Sequence, residues 1–299
     1  MKEFEFETGY GYNLFGNKWE IDNPKEIVVI ITGMAEHSKR YDHFATFLNR
    51  HGFSVYCIDH HGQGKNTPLG RPGEDYFAKE IEIYNHLIIN LREKYNLKVN
   101  VFAHSMGSFI TQGLIEKYSY NIDRTILCGS NGRNGLVKIG YLLAKIIVND
   151  KNKDKDANLL YKLSIGAYEK TIEKGESINS WISYNKENVK VYDEDPLSGF
   201  KCSNGFYKEF FKGLTTIQKT KNVKKINPKM PIFIIGGDKD PVGNNGKGLV
   251  NLYNLYKKNG LNVKLCIYKN MKHEILNEEN KMIVYNDIVL FLKDRYEEK

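Results

Sequence analysis

A chain of 299 residues, 41% hydrophobic and 27% charged, is long enough to bury a sizeable core as one large α/β domain or as a core domain with an insertion. The net charge of +8 is concentrated in residues 133–227; it fits a solvated basic surface or attraction to anionic lipid, and no recognised nucleic-acid-binding module accompanies it. The apolar runs are too short to span a bilayer, the N-terminus has no export-signal pattern, and Cys57, Cys128, Cys202 and Cys266 lack metal-ligand spacing, so buried free thiols and a cytoplasmic location are expected.

In chain order, Glu3–Glu7 and Tyr10–Glu20 alternate around a Gly-rich turn and predict an antiparallel pair. Ile27–Thr32 is a continuous β-branched run, the pattern of a strand buried on both faces. Tyr41–His51 has helical spacing, Phe53–Ile58 reads as a strand, and Tyr76–Tyr95 carries a helical stripe through Ile81, Tyr84, Leu87, Ile88 and Leu91. The strand Val99–Ala103, a helix after Ser105 and the strand Thr125–Cys128 follow. Strand–helix alternation predicts a mostly parallel sheet with helices on both faces.

The alternation stops after Gly132. Residues 136–148 place Ile139, Leu142, Leu143, Ile146 and Ile147 on one helical face, which is expected to pack on the core, or else to line an acyl channel or touch a membrane. Helical patterns continue to about Lys225. The sheet resumes at Pro231–Gly236 and Asn262–Tyr268, and a last helix is expected over Asn280–Tyr296. The expected organisation is therefore a core of residues 1–132 and 228–299 with a helical cap insertion at 133–227.

Ala103-His104-Ser105-Met106-Gly107 is a serine between small residues where a strand gives way to a helix. Such a turn must be tight, and it lifts the hydroxyl above the sheet as a nucleophile. A serine needs a base, itself oriented by a carboxylate, in the chain order Ser, acid, His. His273 is the one histidine beyond Ser105, in a loop after a strand. The acid should also follow a strand, where Asp238 and Asp240 compete in Gly237-Asp238-Lys239-Asp240-Pro241; Asp240 is preferred, and Asp193 and Asp195 have weaker claims. The backbone N–H groups of Met106 and Met34 are the expected oxyanion donors. Adjacent His60 and His61 lack carboxylates at metal-ligand spacing, so no metal is expected.

These residues resemble the monoacylglycerol lipase and lysophospholipase branch of the α/β-hydrolases, of serine aminopeptidase S33 type. Gly33–Tyr41 is similar to that family's HGMxEHSxRY segment, Asp59–Gly64 to DHRGHG, Asp193–Phe200 to DPLxGF, Gly237–Gly243 to GxxDPVG and Lys272–Glu278 to RHEILNE. Ser105 takes the nucleophile position and Asp240 the acid position. Three departures stand out: Thr32 replaces the usual His of HG, Ala103 the first elbow Gly and His61 the Arg of DHRG. Glu36, His37, Arg40 and Tyr41 are expected to be structural. The resemblance implies an α/β-hydrolase fold and a cofactor-free serine esterase acting on a lipid-like acyl ester, with possible transient membrane contact through the basic cap. An aminopeptidase or thioesterase of the same fold is the alternative, and a non-catalytic binding protein a more distant one.

Overall fold

The computed structural model describes residues 1–297; residues 298–299 of the expected 228–299 segment lie outside them. One eight-stranded sheet contains β1 (Lys2–Glu7), β2 (Asn13–Trp19), β3 (Glu26–Ile31), β4 (Phe53–Ile58), β5 (Val99–His104), β6 (Thr125–Cys128), β7 (Ile232–Gly237) and β8 (Val263–Tyr268), in the order β1-β2-β4-β3-β5-β6-β7-β8. β2 runs antiparallel to both β1 and β4, and the other pairs are parallel. The helices are α1 (Asp42–Arg50), α2 (Tyr76–Tyr95), α3 (Met106–Tyr118), α4 (Leu136–Ile147), α5 (Asn158–Lys162), α6 (Lys186–Glu194), α7 (Asn204–Leu214), α8 (Thr220–Val223), α9 (Lys247–Lys258) and α10 (Lys281–Leu292).

Side chains alternate across a strand, so a strand covered on both faces must be apolar at every position. β3 demonstrates this. Ile27, Val29 and Ile31 pack in a core with Ile81, Tyr84 and Leu114 of α2 and α3, while Val28 and Ile30 face Phe44, Leu48 and Ile288 of α1 and α10. Each fully buried Ile or Val stabilises the fold by roughly 1.5–3 kcal/mol.

Three expectations need correction. β2 begins at Asn13 rather than Tyr10, because Thr8 N–H bonds the Tyr12 carbonyl at 3.2 Å and closes a turn there. The last helix stops at Leu292 rather than Tyr296. Asp294 adopts φ 57°, Arg295 N–H returns to Leu290 O at 2.7 Å, and Tyr296 folds back with its ring 4.4 Å from Phe233. The apolar face of α4 does not simply pack on the core. Leu143 and Ile147 lie against it, but Leu136, Ile139, Leu142 and Ile146 are exposed, Ile146 at 82%. The helix is apolar on several sides, and α7 covers only one of them. No helix among the described residues is long and apolar enough to cross a membrane.

Between β6 and β7 the chain passes through α4 to α8 without adding a strand to the sheet.

Candidate active site

Ser105 stands alone between β5 and α3 with φ 51° and ψ −120°, a conformation a residue with a Cβ adopts only under restraint. The restraint comes from both sides. Ser105 N–H donates to Cys128 O at 2.9 Å, and the Ser108 hydroxyl donates to Ser105 O at 2.6 Å. At Gly107 a Cβ would collide with the carbonyl oxygens of Ile31 and Thr32, so α3 can start this close to β3 only with glycine there. Ala103 fits its buried position on β5, so the larger residue at the start of the elbow is accommodated.

A second close approach brings Asp240 and His273 together. A Cβ on Gly237 would strike the Met271 and Lys272 carbonyl oxygens, so the end of β7 lies directly against the loop that carries His273. Asp240 Oδ1 and His273 Nδ1 are 3.0 Å apart, with Asp240 fully buried and His273 nearly so. The carboxylate is oriented by Val242 N–H, 2.8 Å from Oδ1. The imidazole N–H is not aimed squarely at it, and Asp240 Oδ2 has no hydrogen-bond partner. The His273 ring is enclosed by Trp181 at 5.2 Å and His104 at 4.6 Å. Asp238 instead accepts from Asn270 N–H at 2.8 Å, toward the surface. Asp195 is committed to His37, 2.6 Å from Nε2, and Asp193 to Asn179.

The loop after β3 presents N–H groups beside the serine; a Cβ on Gly33 would lie 3.1 Å from Ser105 Cβ. Gly33 N–H donates to Glu36 Oε1, and Ala35 N–H donates to Gln63 Oε1 at 2.6 Å. Met34 N–H, between them, meets no acceptor among the described residues, and neither does Met106 N–H at the start of α3. Thr32, where the resemblance leads one to expect histidine, is braced through its carbonyl by His60 Nε2 at 3.0 Å, and Gln63 Nε2 holds Gly33 O at 2.9 Å. The other His60 nitrogen faces Glu80 at 2.7 Å. Sequence reasoning missed Gln63, Glu80 and Trp181. Glu80 had a signal, a carboxylate on the apolar stripe of α2; Gln63 and Trp181 had only local context.

Below the loop lies a buried ionic cluster. Arg40 donates to Glu36 Oε2 at 2.9 Å and to both Glu274 oxygens at 2.7 and 2.8 Å, and its guanidinium lies 4.8 Å from the Tyr192 ring centroid. Tyr41 O–H donates to Glu36 Oε1 at 2.9 Å. Burial alone would raise the Glu36 pKa, but His104 and Arg40 outweigh it and hold the carboxyl well below its usual range. Glu274 is lowered in the same way, with Arg40 overcoming burial. Glu36, Arg40 and Tyr41 therefore brace the loop, as does His37 through Asp195.

Ser105, His273 and Met34 line one cavity of about 220 Å³, walled further by Tyr161, Trp181 and Phe200. Met106 is buried beside it with Sδ accepting from Tyr76 O–H at 3.7 Å, and Asp240 stands behind His273. Trp181, Tyr161 and Phe200 all belong to the segment between β6 and β7.

A family model described as "Serine aminopeptidase, S33" matches residues 22–280. The monoacylglycerol lipase of Mycolicibacterium smegmatis is 24% identical, with 97% of this chain and 96% of the lipase covered. The human monoglyceride lipase is 23% identical, with 95% and 88% covered. Among solved structures, a highly thermostable carboxyl esterase from Bacillus coagulans, in complex with glycerol, is similar at TM-score 0.91 and 28% identity, with 98% of each chain covered.

Proposed function

The chain belongs to the serine aminopeptidase S33 family of α/β-hydrolases, and from that footing we propose that it is a serine hydrolase of lipid-like carboxylic esters, monoacylglycerol or lysophospholipid. The observation that carries this reading is one cavity that holds the Ser105 elbow, His273 backed by Asp240, and the unpaired Met34 N–H. Ser105 Oγ attacks the acyl carbonyl while His273 takes its proton. Asp240 fixes the imidazole tautomer and stabilises the imidazolium. The Met34 and Met106 N–H groups receive the oxyanion, having no other acceptor to compete for them. His273 then protonates the departing alcohol, activates a water, and the acyl group is released. No step needs a metal or an organic cofactor.

Residues 133–227 serve as a cap, contributing the aromatic wall of the cavity. The exposed Leu136, Ile139, Leu142 and Ile146, with Lys138 and Lys145 on the same helix, suit transient contact with a lipid surface. Four cysteines outside any disulfide suit a cytoplasmic protein.

A second reading, an aminopeptidase, takes support from Glu169 on the cavity wall, where a carboxylate could hold a free amine; it accepts from Tyr161 O–H at 2.8 Å. Turnover of p-nitrophenyl esters of graded chain length, monoacylglycerol, lysophospholipid and aminoacyl amides separates the two. The ester reading expects hydrolysis of the acyl esters, lowered on the order of 10³-fold or more by Ser105→Ala. Preference for amides bearing a free amine, or near-normal turnover by the variant, contradicts it.

A further inference from the structure

The steps above leave His104, the last residue of β5, without a role. It is buried, and each ring nitrogen faces an oxygen that can only accept. Nδ1 lies 3.2 Å from Glu36 Oε1, and Nε2 lies 3.3 Å from the backbone carbonyl oxygen of His273. Glu36 is a carboxylate already accepting from Gly33 N–H, Tyr41 O–H and Arg40, so it has no proton to give. A neutral imidazole carries one N–H and leaves the other nitrogen's lone pair against an acceptor in either tautomer. Only the doubly protonated ring satisfies both contacts. Charge balance agrees: the carboxylates of Glu36 and Glu274 exceed the single Arg40 guanidinium by one negative charge, and a cationic His104 cancels it.

We propose that His104 is a positioning residue held as an imidazolium, tying the loop that carries the Met34 N–H to the loop that carries the base. One ring nitrogen holds Glu36, which holds Gly33 N–H; the other holds the backbone of His273. The two rings lie side by side, with centroids 4.6 Å apart.

The groups around the pair permit this. Glu36, Arg40 and Tyr41 face His104 from the segment after β3, and Glu274 from the loop after β8. Cys128, its neighbour on β6, is kept neutral because burial pushes its thiol up. Burial alone would lower the His104 pKa, but the Glu36 hydrogen bond and charge, followed by Glu274, raise it. His273 is faced by Asp240 after β7 and by Trp181, with Tyr168 tilted against Trp181 on the far side.

The inference rests on His273 as the base, and the two are separable. Nitrogen NMR of the full-length unmutated enzyme, with ¹⁵N-labelled histidine assigned by through-bond experiments, reads the protonation of His104 directly. The expected result at pH 8 is two protonated nitrogens on His104. A neutral His104 overturns the proposal, whatever the fate of the esterase reading. In steady-state kinetics, His104→Gln should lower kcat while KM stays within a few-fold of the parent; an unchanged kcat would reduce His104 to a packing residue and contradict the positioning role. A fluorophosphonate adduct on Ser105 of the unmutated enzyme tests the underlying reading alone.

Discussion

Asp238 and Asp240 are near neighbours in sequence, and their surroundings separate them. Asp240 is fully buried against His273, whereas the Asp238 side chain is 29% exposed and bonded to the backbone of Asn270. Asp240→Asn should lower kcat/KM on the order of 10³–10⁴-fold by losing the carboxylate that fixes the tautomer. Asp238→Asn should stay within a few-fold of the parent; the reverse pattern in steady-state kinetics would reassign the acid. That Ser105 and His273 share one cavity was legible from a strand–turn–helix break and from chain order. The bracing residues were not. Gln63, His60 and Glu80 act through hydrogen bonds to residues distant in sequence, and such pairing leaves no period in the chain.

At the scale of elements, legibility follows burial. β3, β5 and β6 are covered on both faces, so they appear as largely apolar runs, interrupted in β5 by Asn100, whose buried amide donates to Ile27 O at 3.2 Å. α2 presents one face to the sheet, and its stripe marked its bounds well. α4 shows the converse. Its apolar residues exceed what one partner helix can cover, so the pattern gives a helix without saying which residues are buried. The end of α10 escaped notice because Tyr296 continues the helical spacing while the backbone has already turned at Asp294. Thr32 and Ala103 could be noted as departures from the sequence alone, but the His60 brace that supports Thr32 required the fold.

Across the whole molecule, the segment between β6 and β7 is fastened to the core by a polar seam. Arg133 at its start donates to Gln218 O near its end, at 2.9 and 2.7 Å, and Gln218 Nε2 donates to Gln112 Oε1 at 2.7 Å. Glu116 of α3 accepts from Gln218 N–H at 2.6 Å, and burial pushes its carboxyl up to about 7. Unfolded, the same group titrates near 4.5. Between those values the folded protein keeps a proton that the unfolded chain has released. The stability this group contributes is therefore complete below pH 4.5 and lost as pH rises through 7. Glu116→Gln keeps the acceptor and removes the titration. Thermal unfolding should show the variant gaining on the parent from pH 4.5 to pH 8, by up to about 3 kcal/mol. A difference independent of pH would contradict the buried-carboxyl account.

If Ser105 is a nucleophile activated by distant partners, a fluorophosphonate should label the intact protein there, and peptide mass spectrometry locates the adduct. One stoichiometric adduct, on Ser105, is expected, with esterase activity lost in proportion. Undiminished activity after complete labelling of Ser105, or inactivation with Ser105 unmodified, would contradict it.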